Sequence, residues 1–178
     1  MTDLEALHRA VVGLSQQQQR RYYGKFRGIV TDNDDPGKRG RIRAKVPELF
    51  GDVETGWALA CVAYAPKGHG FLALPETADT VWIEFEGGDP SYPVWSGCWW
   101  PETGAPTIDS PHVKIFETAA GNRIRLDDSE GAERVTIEDK NGSSIVIDQS
   151  GITITKGSMK IVLADAQVSI NDDALVVM

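Results

Sequence analysis

Several groups of residues have the types needed for chemistry, but their spacing does not fit a known catalytic or metal-binding motif. The stretch 32–37, Asp-Asn-Asp-Asp-Pro-Gly, looks like the start of a calcium-binding EF-hand loop. Pro36 occupies the fifth position, however, and Arg43 falls where the loop needs a bidentate glutamate. We therefore do not expect calcium binding here.

The three histidines are also poor candidates for a metal site within one chain. His8, His69 and His112 stand far apart in the sequence, and none has another His or Cys at ligand spacing. We expect no metal and no cofactor. A ring made of one histidine from each of several chains, or an ion on a symmetry axis, is left open by the sequence.

No enzyme signature is found. Ser96 lacks the Gly-x-Ser-x-Gly elbow of the hydrolases, and no glycine pattern matches a phosphate loop. Glu84 and Glu86 alternate with apolar residues, which is typical of the solvent face of a strand rather than of a glycosidase pair. We predict that the protein is not an enzyme. A hydrolase using Glu84 or Glu86 is a rival hypothesis, to be tested by Glu84→Gln and Glu86→Gln.

The residue pattern divides the chain into four segments. Residues 1–21 contain a short helix over 3–15, because Leu4, Leu7, Val11 and Leu14 recur at helical spacing. Residues 22–100 contain five or six short strands, which suit a small closed barrel of the OB type. Residues 101–112 form a Pro-rich linker, after which no Trp occurs.

Residues 113–178 read as one short strand after another, with turn-formers between them. The segment after Phe116 contains no aromatic residue and no Pro, so one chain has no second layer to cover an apolar sheet face. Copies of the same segment would supply that layer. The candidate core residues are Ile145, Ile147, Ile152, Ile154, Ile161, Leu163, Val168 and Ile170.

Charge argues against nucleic acid as a partner. The chain carries 18 basic and 26 acidic side chains, a net charge of −8, whereas phosphate-backbone binding requires a positive surface. The one basic cluster, 38–45, has acidic neighbours. The alternative function is an OB-type module that binds nucleic acid or glycan, with a β-solenoid tail.

The bulk features suggest synthesis in the cytoplasm. Cys61 and Cys98 are expected to be buried free thiols, and the acidic N-terminus does not look like a signal peptide. No apolar run is long enough to span a bilayer.

A resemblance to a known family rests on motifs in a fixed order. The principal motifs are Gly40-Arg41-Ile42-Arg43-Ala44-Lys45-Val46-Pro47, then the Gly68-His69-Gly70 loop, then Val81-Trp82-Ile83-Glu84-Phe85-Glu86-Gly87-Gly88-Asp89-Pro90, and last Pro93-Val94-Trp95-Ser96-Gly97. This order resembles the OB domain of phage baseplate assembly protein V and the related spikes of contractile injection and type VI secretion systems. The chain departs from the family at 77–80.

The resemblance implies an all-β protein with an OB-fold barrel followed by an intertwined, trimeric β-helical needle. It implies a homotrimer beneath a baseplate hub, which the N-terminal helix could contact through Leu4, Leu7, Val11 and Leu14. It also implies a structural spike that pierces a target membrane when a phage tail or injection system contracts. The eight core residues would fill the trimer axis.

Two features found in some family members are not expected here. About ten residues separate the two domains, too few for an inserted lysozyme, and no histidine follows His112 to form a metal-binding tip. Instead, the apolar residues Leu175, Val176, Val177 and Met178 are predicted to seat a small tip protein of the PAAR-repeat kind.

Overall fold

The protein is described here from a computed structural model. It describes residues 3–18, 21–108, 110–172 and 174–177. The chain divides into two compact units, residues 1–105 and 106–178. Each unit contains one β-sheet, so the expected all-β class is confirmed.

Helical structure is confined to short segments of the first unit. Helix α1 runs from Asp3 to Gln18, which confirms the expected N-terminal helix and extends it by one turn. Helix α2, Pro47–Phe50, begins at a proline, whose fixed φ suits the first helical position. A single 3-10 turn spans Glu86–Gly88.

The sheet of the first unit is strongly curled. Its five strands are β1 (Phe26–Asp32), β2 (Arg43–Lys45), β3 (Leu59–Ala60), β4 (Thr80–Phe85) and β5 (Pro93–Cys98), in the order β2-β1-β4-β5-β3. Only β3 and β5 pair in parallel. An isolated bridge between Ile42 and Ala58 links the two ends of the sheet around the core, as expected for an OB-like barrel.

The core of this unit follows from the alternation of its strands. In β4, Val81, Ile83 and Phe85 are buried while Trp82 and Glu84 are half-exposed. The other buried apolar residues of the barrel come from the neighbouring strands and bridges: Val30, Ile42, Ala44, Val46, Ala58 and Trp95. The barrel is therefore stabilised within one chain.

The loop between β1 and β2 is organised around one buried carboxylate. Asp35 is 3% exposed. It accepts hydrogen bonds from the backbone N–H groups of Gly37 and Arg39, each at 2.8 Å. The Arg41 guanidinium donates two more, at 2.6 and 3.0 Å. These hydrogen bonds, that of Arg41 above all, hold the pKa of Asp35 far below its usual range.

The second unit is an antiparallel meander of eight strands in sequence order. Its strands are β6 (Val113–Glu117), β7 (Arg123–Asp127), β8 (Arg134–Glu138), β9 (Ser144–Asp148), β10 (Gly151–Lys156), β11 (Met159–Ala164), β12 (Gln167–Ile170) and β13 (Leu175–Val177). Each strand from β7 to β12 hydrogen-bonds to the strand before and the strand after it, and β6 and β13 form the two edges. The meander is therefore built entirely from local hairpins.

Gly151 is the glycine that this meander most strictly requires. Its φ of 131° lies in the region that other residues avoid, and a Cβ atom at this position would lie 2.0 Å from the carbonyl oxygen of Leu163. Gly142 also has a positive φ, of 77°, but no heavy atom would lie within 4 Å of its Cβ. A side chain at Gly151 is therefore excluded by a steric clash, whereas at Gly142 it is disfavoured only by the left-handed backbone conformation.

We expect Gly151→Ala to destabilise the meander more than Gly142→Ala does. The Gly142→Ala variant carries the cost of a left-handed alanine, about 1 kcal/mol. The Gly151→Ala variant must also displace the backbone of β11, so its loss should be at least twice as large. Thermal unfolding of both variants measures the difference. Equal losses would contradict the close backbone approach.

Candidate functional site

The most extensive feature of the second unit is an apolar face formed by alternate side chains of all eight strands. The strand register aligns these side chains in two rows that cross the sheet. The first row is Phe116, Ile124, Ile137, Ile145, Ile154, Ile161, Ile170 and Leu175. The second row is Lys114, Leu126, Val135, Ile147, Ile152, Leu163, Val168 and Val177. We call these two rows the apolar face.

The apolar face is not covered within one chain. Ile145, Ile147 and Ile154 are 37%, 43% and 39% exposed. Among the described residues of this unit, Val113 is the one apolar side chain that belongs to the buried core. A contiguous exposed patch of this size marks an interaction surface, because burying it against a partner removes apolar area from water.

All eight residues predicted for a shared axis lie on this apolar face. They occupy its middle, on strands β9 to β12. The prediction omitted the five apolar residues that extend the rows through β6, β7 and β8: Phe116, Ile124, Leu126, Val135 and Ile137. Their alternation with arginine, threonine and glutamate was the signal that could have identified them.

Lys114 is the one charged residue on the apolar face. It opens the second row on the outermost strand, β6, where it pairs with Leu126 across the ladder. Its ammonium group leaves the face at one side, where it lies 2.7 Å from an Asp128 carboxylate oxygen and donates to the carbonyl of His112 at 3.0 Å. The second row therefore ends in a charged residue on β6, whereas the first row ends there in Phe116.

The opposite face of the meander carries the charged residues. Arg123 lies between Glu117 and Glu138, at 3.2 and 3.6 Å, so three neighbouring strands share an ion-pair ladder. The central row of this face begins with Ile115 and Arg125 and continues with hydroxyl and small apolar side chains: Thr136, Val146, Thr153, Val162, Ser169 and Val176. The ion pairs therefore distinguish this face from the apolar face on strands β6 to β8.

Aspartates fix the turns between these strands. Asp139 accepts hydrogen bonds from the backbone N–H groups of Ser143 at 2.8 Å and Asn141 at 2.9 Å. Asp148 accepts from the hydroxyl and the backbone N–H of Ser150, at 2.5 and 2.8 Å. These donors lower the pKa of both carboxyl groups, because they stabilise the ionised form.

We expect the stability of the meander to depend on pH through these turns. A carboxyl group whose folded pKa is depressed contributes fully above its unfolded pKa and loses that contribution as the pH falls through the folded value. The Asp139→Asn variant should therefore be less stable than the wild type at pH 7. The difference should shrink below roughly pH 4, where the wild type begins to lose the ionised form. Thermal unfolding across this pH range measures it, and a difference independent of pH would contradict the prediction.

Leu4, Leu7 and Val11, the residues predicted to contact a hub, lie on α1 and are exposed. The side chain of Leu14 is not among those that the structure describes. Leu175 and Val177 are exposed at the end of the two apolar rows, on the edge strand β13. Val176 points to the opposite face, beside Ser169, and Met178 lies outside the described residues.

Of the two glutamates considered for chemistry, Glu84 is engaged in an ion pair, whereas Glu86 is exposed at the start of the 3-10 turn. Lys25 donates to Glu84 and, at 2.7 Å, to the Ser96 hydroxyl, which itself donates to Glu84 at 2.5 Å. The hydrogen bond from Lys25 lowers the pKa of Glu84. Glu84 accepts a hydrogen bond from Ser96, but its ion pair with Lys25 makes this carboxylate a weaker base.

Neither a clustered metal site nor a membrane-spanning helix is found in the described part of the chain. Groups of three or more His, Cys, Asp or Glu side chains that could hold an ion do not occur there. None of its helices is long and apolar enough to cross a bilayer.

The basic cluster of residues 38–45 is largely neutralised by its neighbours. Four of its side chains lie within 4.0 Å of a carboxylate oxygen: Lys38 with Asp34, Arg41 with Asp35, Arg43 with Glu54, and Lys45 with Asp52. Arg43 also lies over the ring of Trp57, at 4.9 Å from its centroid. The Trp57 ring is therefore covered on this side by a cation rather than presented for base stacking.

The chain combines an OB-like curled sheet with a strand meander whose apolar face is uncovered. This combination is typical of an all-β protein that assembles with other chains. Two models of known protein families match the chain. Residues 26–100 match the type VI secretion system/phage-baseplate injector OB domain, and residues 112–176 match the phage baseplate V C-terminal trimerisation domain. The chain belongs to the family of phage baseplate V and VgrG-type spike proteins. The predicted family is confirmed.

A curated relative gives the same indication. The chain is similar to the actin cross-linking toxin VgrG1 of Vibrio cholerae serotype O1, with 29% identity over 109 residues. The match covers 59% of this chain but 10% of the toxin protein, so the chain spans a small part of its relative's length. Both matched families are described as parts of phage baseplates, the first of them also of type VI secretion systems.

Proposed function

We propose that the protein is the central spike of a contractile tail or injection-system baseplate. In this proposal three copies join through their apolar faces, and the meanders intertwine into a β-helical needle. The needle transmits the force of contraction to a target membrane, and the protein itself is not an enzyme.

The apolar face carries this proposal. Fifteen of its sixteen positions are apolar, and the exposed fractions of its isoleucines show that one chain does not cover them. Three symmetry-related copies would place all three faces around one axis, where each supplies the missing layer of the others. The match to a trimerisation domain supports the number of copies.

Partners at the two ends complete the proposed spike. The N-terminal segment with α1 is assigned to the hub side. The edge strand β13 is the proposed seat for a small PAAR-like tip protein, because it is the last strand of the meander and pairs with β12 on one side only among the described residues. Deleting residues 174–178 should abolish binding of such a protein to the purified trimer, and unchanged affinity would reject this seat.

Light scattering on the purified full chain tests the assembly. A trimer that persists in mild SDS is expected, because dissociation would expose the whole apolar face of every chain. A stable monomer would overturn the proposed function. Tight, salt-dependent binding of single-stranded DNA would favour the OB-type binding module instead.

A further inference from the structure

We infer that α1 forms a parallel three-helix coiled coil with the α1 helices of the two other chains. The observation behind this inference is the spacing of its large apolar residues. Leu4, Leu7, Val11 and Leu14 are separated by three, four and three positions, which is the a-d-a-d pattern of a heptad seam. Leu4 and Val11 take the a positions, and Leu7 and Leu14 take the d positions.

The three seam side chains that the structure describes, Leu4, Leu7 and Val11, are exposed and are not covered by their own chain. Leu4 is 76% exposed and Leu7 is 61% exposed, although both are among the largest apolar side chains of the helix. An isolated helix of 16 residues is marginal in water, because most helical stability in proteins comes from packing an apolar face. The helix therefore needs a cover for this seam.

The other copies of the same helix are the occupants that the rest of the molecule favours. This inference rests on the proposed trimer, in which the second unit holds three chains together. Threefold symmetry then brings three α1 helices to the same end of the assembly in parallel. Joining the three chains in one trimer makes the association of their helices intramolecular, which favours even a seam of about two heptads.

Except for Val12, an apolar residue that is 40% exposed at an outward position, the remaining described positions of α1 suit such a bundle. Gly13, the weakest helix former in the sequence of α1, falls at an outward position, as do the exposed Ala6 and Arg9. The inference transfers Leu4, Leu7 and Val11 from a contact with the hub to a contact between copies. The outward positions are left to face the hub.

Cysteine cross-linking tests this inference in the full chain. Cys61→Ser and Cys98→Ser first remove the two free thiols, which are exposed and not buried as the sequence predicted. Leu7→Cys then places a thiol on the seam, and Ala6→Cys places one on the neighbouring outward position as a matched control. Under mild oxidation and complete denaturation, Leu7→Cys should give one cross-linked pair of chains per trimer, and Ala6→Cys should give several-fold less.

The outcomes separate this inference from the proposed function. If light scattering shows trimers but the two cysteine variants cross-link equally, or not at all, the helix bundle is overturned and the spike stands. If the parent is monomeric, the proposed function fails and this inference fails with it. As a second measurement, Leu7→Asp should lower the helical circular dichroism signal of the trimer, whereas Ala6→Asp should leave it nearly unchanged.

Discussion

Ile154→Asp is expected to abolish the trimer. Ile154 lies in the middle of the first apolar row, between Ile145 and Ile161 on the adjacent strands. In the proposed assembly, threefold symmetry would bring three carboxylates to the axis, where burial of unpaired charges costs several kcal/mol per ion. Dissociation or aggregation in place of the SDS-resistant trimer is the expected result, measured by light scattering.

The neighbouring residue provides the control. Thr153→Asp introduces the same charge on the same strand, but its side chain lies on the opposite face, between Val146 and Val162. We expect this variant to remain trimeric with a modest loss of stability. If both variants stay trimeric, the apolar face is not the axis of the assembly. If both dissociate, the meander does not tolerate charge on either face, and the distinction between the faces fails.

The second large effect is expected from Asp35→Ala in the barrel. This substitution removes the acceptor of four hydrogen bonds and leaves the Arg41 guanidinium beside an empty site. Arg41 is itself largely buried, with 21% of its side chain exposed. Removing one partner of a buried ion pair is strongly destabilising, because the other charge remains desolvated. We expect the melting temperature of the barrel to fall by roughly 10 °C or more.

Asp34→Ala is the control for the loss of the buried carboxylate in Asp35→Ala. Asp34 also pairs with a basic residue, Lys38, but its side chain is 82% exposed. A solvent-exposed ion pair of this kind contributes at most about 1 kcal/mol. Asp34→Ala should therefore leave the melting temperature nearly unchanged. Similar losses in the two variants, followed by circular dichroism, would show that the loop is not organised around Asp35.

The barrel and the meander could be predicted from the sequence because both depend on alternation. Val81, Ile83 and Phe85 alternate with polar or bulky neighbours, and the same rhythm returns in each later strand. In a strand, alternate side chains point to the same face, so this pattern predicts which residues share a face. The eight predicted axis residues share a face for this reason.

The alternation pattern does not predict strand register or the contacts within loops. The sequence did not reveal that Lys114 begins an apolar row, because only the β6–β7 pairing aligns it with Leu126. It also did not reveal that Asp35 is buried. The acidic stretch 32–35 looks uniform in the sequence, and only the loop geometry separates a buried carboxylate from its exposed neighbours.

The strand order of the meander has a consequence for how such a protein can change in length. Since every strand pairs with its immediate neighbours in the chain, removing or duplicating one hairpin leaves the two apolar rows aligned. Strands in a sheet are spaced about 4.8 Å apart, so each hairpin contributes roughly 10 Å of sheet. A sheet of this design can therefore change its length in steps of one hairpin without a new fold.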